Sequence, residues 1–223
     1  MTRVRENPIC PVGFTDQFLR LLCLMLTSTI WAQNTAEPQP AAVPPDIPAP
    51  TDQPYPGTIS LSVDLTNVKD RVLNVREAIP VKPGEITLFY PQWLPGTHSP
   101  SNPIGNLAGL VITANGNRLA WVRDRVNMWA FHIEVPQGAT SLELRFQYLA
   151  PVKAQQGHIS NRIADLTWNS VLLYPAGYFA RRIRFSPELK LPGGWKFATA
   201  LDVKSQNNDV VSFKEVPLNT LID

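Results

Sequence analysis

From Gly57 onward apolar and polar residues alternate, with Ile59, Leu61, Val63 and Leu65 set against Thr58, Ser60, Ser62 and Asp64. A period of two puts successive side chains on opposite faces of a pleated strand, so the pattern predicts a strand with one face buried and one in water. Comparable runs recur at "VLNVREAI", "EITLFY", "GLVITA", "RLAWVRD", "MWAFHIEV", "LELRFQYL", "LTWNSVLLY", "RIRFSPEL", "WKFATAL" and "VVSFKEV", with turn residues between nearly all of them. No window of eleven or more residues carries a helical i, i+3, i+4, i+7 stripe. The expected fold is all-β: an antiparallel β-sandwich of about ten strands over residues 58–223.

Turn chemistry sharpens this picture. Asn115-Gly116 supplies the two positive φ values of a type I′ turn, which predicts a hairpin from "GLVITA" to "NRLAWV". "PQGATS" predicts a longer turn joining "MWAFHIEV" to "SLELRFQYL". Two stretches do not reduce to strands and short turns. "YPQWLPGTHSPSNPIG", residues 90–105, holds four prolines, two glycines, a tryptophan and a histidine. Proline fixes φ and glycine admits positive φ, so this is a long loop built to hold one shape. "LTWNSVLLYPAGYF" ends in a second aromatic, proline and glycine cluster, Tyr174 to Phe179, of similar make-up. Each either seals one end of the sandwich or contacts a ligand or partner domain.

The N-terminal part has a different texture. Arg3, Arg5 and Arg20 precede the apolar run "LLCLMLTSTIWA", which reads as an export signal over residues 1–32. It is too short to span a membrane, so any membrane contact would come only through this segment if it stayed uncleaved. Export to a periplasmic or extracellular compartment is the expectation. Residues 33–57 form a Pro-rich linker, with eight of the chain's 22 prolines between Pro38 and Pro56. Such a composition favours a stiff, extended spacer. Both cysteines, Cys10 and Cys23, fall in the leader, so the mature domain would rely on its core and not on disulfides.

Charge excludes one class of partner. The net charge of the whole chain is +2; the leader's three arginines against Glu6 and Asp16 account for +1 of it, leaving about +1. With no Lys/Arg-rich run beyond Arg181-Arg182, no nucleic-acid partner is expected.

The usual catalytic patterns are missing from this sequence. His98, His132 and His158 show no i, i+4 pairing and there is no H-E-x-x-H, so no metal site is expected within the chain. His132 lies opposite Phe131 and Ile133 in the alternation, which predicts a solvent-side or edge-strand residue. There is no G-x-S-x-G elbow and no cysteine after the leader to serve as nucleophile. Asp124, Glu134 and Glu143 are spread over strands and do not define an acid/base pair.

Three stretches, "LFYPQWLPGTHSPSNPIGNLAGLVITANGNRLAWVRD", "AFHIEVPQGATSLELRFQYLAP" and "WNSVLLYPAG", together resemble the N-terminal domain of the glycyl-aminopeptidase family, family 61 of the metallopeptidases. The likeness runs from about Ile59 to the last residue and is most specific over Tyr90–Asp124. It implies an exported zinc aminopeptidase acting on N-terminal glycine or alanine. Such a protein has an N-terminal β domain, a thermolysin-like domain carrying H-E-x-x-H, and usually a PDZ domain. The chain stops before that catalytic domain, so the resemblance implies no catalytic residue and no zinc ligand here; zinc would belong to the full-length family. It further implies that the β domain packs beside the catalytic cleft and that its end loops help to enclose the substrate's amino terminus. The residues marked as contact groups for substrate or the catalytic domain are Tyr90, Trp93, His98 and Tyr174. The competing expectation is a free-standing, secreted β-sandwich module that binds peptide or carbohydrate through exposed aromatic faces.

Overall fold

The alternation read from Ile59 onward is seen directly in β1 (Thr58–Asp64), where Ile59, Leu61 and Val63 are buried and Ser60 is exposed. The computed structural model describes residues 45–94, 96–152 and 158–223, so the expected leader and residues 33–44 of the expected linker lie outside the described residues. The remaining strands are β2 (Val72–Pro80), β3 (Gly84–Phe89), β4 (Leu107–Ala114), β5 (Asn117–Leu119), β6 (Trp121–Arg123) and β7 (Ala130–Val135). They are followed by β8 (Ser141–Leu149), β9 (Tyr174–Pro175), β10 (Arg184–Lys190), β11 (Val203–Asn207), β12 (Val210–Phe213) and β13 (Val216–Pro217). One short helix, α1 (Leu218–Leu221), closes the described chain.

These strands form two sheets. The larger has nine strands in the order β11-β12-β10-β1-β2-β8-β4-β5, with β13 also paired to β10. The smaller has four, in the order β6-β7-β3-β9. Their inner faces meet in one hydrophobic cluster, in which Leu61, Leu73, Ile112 and Leu144 of the large sheet join Leu88 and Phe131 of the small one. The all-β sandwich expected from the period-two runs is therefore the fold. All strand pairs but one are antiparallel; β1 and β10 run parallel, with Ile59 opposite Phe185 and Val63 opposite Leu189.

Several local expectations hold in detail. Asn115 and Gly116 have φ of 51° and 78° and close the β4–β5 hairpin, as a type I′ turn requires. "PQGATS" links β7 to β8. Two expectations need correction, and one strand was not expected. "LTWNSVLLY" is not a strand: Trp168–Ser170 form a 3-10 turn, and only Tyr174–Pro175 pair with the sheet. Val171, Leu172 and Leu173 are all fully buried, so this apolar run is core filling without a water-facing side. "WKFATAL" is irregular, with Trp195 and Phe197 packing against the core as single side chains. Conversely, β11 ("VKSQN") was not expected, because all five residues are exposed and no apolar alternation marks them.

The end of the Pro-rich stretch belongs to the domain. Thr51 exchanges main-chain hydrogen bonds with Gly177 and Phe179, at 3.0 and 3.1 Å. Asp52 accepts from Arg181 at 2.8 Å and from Arg182 at 2.7 Å. Tyr55 is buried, packs edge-on against Tyr178 at 5.0 Å, and donates its hydroxyl hydrogen to the carbonyl of Pro80. The proline content suggested a spacer, but Tyr55 has an apolar body that the core can take up.

Candidate functional site

The candidate site grows from the end of β3, where the chain leaves the small sheet into the loop of residues 90–105. Phe89 pairs with Tyr174 of β9, so the second aromatic, proline and glycine segment begins beside the first. Buried polar groups then tie the two together. The Tyr90 hydroxyl donates to the Ser170 carbonyl at 2.9 Å. Asn102, almost fully buried, donates through Nδ2 to the carbonyls of Pro91 and Asn169 at 2.8 and 2.9 Å, and its Oδ1 accepts from Asn169 Nδ2 at 3.3 Å. Trp129 Nε1 donates to the Asn102 carbonyl at 3.1 Å. Carbonyls that a loop would leave without partners are thus satisfied by side chains, which is how an irregular segment can be buried at one end of a sandwich.

The second segment is also held from the core side. Leu173 has no ladder partner, and its N–H donates to Glu77 Oε2 at 3.0 Å. Glu77 lies on β2 in the inward series Leu73, Val75, Glu77, Ile79, and burial pushes its carboxyl well above the usual range, against the opposing effect of the Leu173 N–H. Its Oε1 has no hydrogen-bond partner among the described residues.

Within this frame the four expected contact residues separate into two kinds. Tyr90 has no exposed surface; it is a core residue that joins the loops and cannot touch a ligand. Tyr174 is half-buried, packs on Phe89 at 5.8 Å, and has its hydroxyl pushed up to about 12 by burial. Trp93 is 58% exposed and His98 is also exposed, so these two remain available for contact. Asn102, Asn169 and Glu77, which organise the site, were missed. A charged residue at an inward position of β2 was a legible signal for Glu77, whereas nothing in the sequence distinguishes Asn102 or Asn169 from ordinary loop asparagines.

His132 also differs from expectation. It does point away from Phe131 and Ile133, but β7 lies between β6 and β3, so it is not on an edge. Its Nε2 lies 2.8 Å from Asp124 Oδ2 and its Nδ1 lies 3.0 Å from Thr87 Oγ1, leaving the side chain 11% exposed. Burial pushes the Asp124 carboxyl up, but the N–H groups of Asn127 and Val126 together with His132 outweigh that and hold it below its ordinary value. This chain of groups pins the β6–β7 turn. Among the described residues no three His, Cys, Asp or Glu side chains are gathered to hold a metal.

Residues 60–223 match the family described as the Peptidase M61 N-terminal domain. The chain belongs to this family. Among solved structures, an aminopeptidase N family protein from Idiomarina loihiensis shares the fold, with a TM-score of 0.63 and 18% identity over 74% of this chain. An M1 zinc metallopeptidase from Deinococcus radiodurans aligns at a TM-score of 0.45 and 13% identity over 79% of this chain. The chain spans 28% of the first protein's length and 42% of the second's. No sequence among the curated proteins matches it. The M61 domain is thus a β-sandwich whose described residues assemble no metal site.

Proposed function

We propose that this M61 domain is the non-catalytic N-terminal domain of an exported zinc aminopeptidase that removes N-terminal glycine or alanine. In this reading it packs beside the catalytic cleft and helps to shape the substrate site. The supporting observation is the buried network of Tyr90, Asn102, Asn169 and Ser170, which fixes two loops as one unit while leaving Trp93 and His98 exposed. A surface fixed in advance loses little conformational entropy when a partner or peptide arrives, which suits a wall of a binding cleft.

The test supplies a separately purified M61 catalytic domain and measures release of the chromophore from glycyl and alanyl p-nitroanilides. The chain alone releases none. Adding it to the catalytic domain raises kcat/KM or lowers KM, and the Trp93→Ala/His98→Ala chain has a weaker effect. An unchanged rate on adding the chain overturns the proposal, as does an equal effect from the double variant. Binding of free peptides or glycans by the chain alone, lost in Trp93→Ala, would favour a free-standing binding module.

A further inference from the structure

A cavity of about 530 Å³ lies between the 158–165 turn, the 3-10 turn at Trp168 and the irregular segment at residues 195–199. Its size is that of a small-molecule site, within the usual range of about 300–1,000 Å³. The rings of Trp168, Trp195, Phe197 and Phe213 surround it. Trp168 and Phe197 each stand edge-on to Phe213, at 5.9 and 6.3 Å, so Phe213 forms a floor between two upright walls. Phe213 is buried, whereas the other three rings are only partly covered and still offer ring surface to the cavity.

The mouth is charged. Arg162 and Lys196 line it, both exposed and neither in an ion pair among the described residues. Asp165 is the one carboxylate in the lining and His158 the one imidazole, so two permanent cations face a single anion. The 158–165 turn that carries Arg162 is held by the Ile159–Ala164 bridge and by the Ser160 N–H to Ile163 carbonyl bond of 2.8 Å.

We propose that this cavity binds a small amphiphilic anion, with a flat apolar body among the four rings and a carboxylate or sulfonate at the Arg162–Lys196 mouth. Ring faces take up a flat apolar group by offset or edge contact, and a desolvated anion gains from charge-assisted hydrogen bonds to the two cations. The site does not depend on the peptidase reading, because no residue of the 90–105 loop lines it.

The test uses the full chain and two fluorescent probes of nearly equal shape: 8-anilinonaphthalene-1-sulfonate, and its uncharged counterpart N-phenyl-1-naphthylamine. The expected result is one probe per chain, with Phe197→Ala weakening both probes by about fivefold or more. Arg162→Gln/Lys196→Gln should weaken the sulfonate by about tenfold and leave the neutral probe within about twofold. Both cations are exposed, so this variant keeps its fold, which far-ultraviolet circular dichroism checks. Absent or multiple-site binding, binding indifferent to Phe197→Ala, or loss of both probes or neither in the Arg162/Lys196 variant overturns the proposal.

Discussion

Truncating Asn102 to alanine tests whether the two loops stand as one unit. The change removes two hydrogen bonds donated by Nδ2, to Pro91 and Asn169, and one accepted by Oδ1 from Asn169. Pro91 and Asn169 are themselves buried, so three polar groups would lose their partners away from water. Each such loss costs about 1 kcal/mol, which gives about 3 kcal/mol in total. With a urea dependence of about 2 kcal/mol per molar for a domain of this size, the unfolding midpoint should fall by about 1.5 M. The assay is equilibrium urea unfolding followed by tryptophan fluorescence and by circular dichroism, with coincident transitions required. A loss below about 1 kcal/mol would mean that the network does not hold the loops, and the joined-surface account would fail.

Trp93→Ala should cost less than about 1 kcal/mol in the same melts, because the ring is 58% exposed; a loss of about 3 kcal/mol or more would mark it as a core residue. Glu77→Gln tests the buried carboxyl. Its folded pKa lies above the ordinary 4.5, so its contribution to stability is full below that value and is lost as pH rises through the folded pKa. The wild-type midpoint should therefore decline relative to the Gln variant between pH 5 and 9, and parallel curves would contradict the assignment. Gly57→Ala should cost about 1–3 kcal/mol, since Gly57 has φ of 109° and a Cβ there would lie 2.9 Å from Pro80 Cγ. A neutral effect on the melt would show that the entry into β1 can shift freely.

Much of the sandwich was legible because burial on one face leaves a period of two, as in Leu73, Val75 and Ile79 of β2 or Leu142, Leu144 and Phe146 of β8. That signal disappears where a segment is wholly buried or wholly exposed. Val171–Leu173 looked like a strand because they are apolar, and β11 was invisible because it has no inward side. The parallel pairing of β1 with β10 joins residues more than a hundred positions apart, and no local pattern records it. At the site, the aromatic, proline and glycine content revealed both loops, but not which aromatic faces inward. Tyr90 and Trp93 are three residues apart, one fully buried and the other largely exposed, and the partner of the buried hydroxyl, Ser170, lies eighty positions away from Tyr90. The partnership of Asp124 with His132 was hidden for the same reason, since it bridges a turn that alternation does not describe.

Hydrogen–deuterium exchange read by mass spectrometry, on the chain alone and after adding an M61 catalytic domain, tests most directly whether the joined loops form the partner-facing surface. New protection should concentrate in peptides covering residues 90–105 and 170–179, with the strands of the large sheet unchanged. Protection confined to the outer face of that sheet, or none at saturating partner, would contradict the placement of the catalytic domain against these loops.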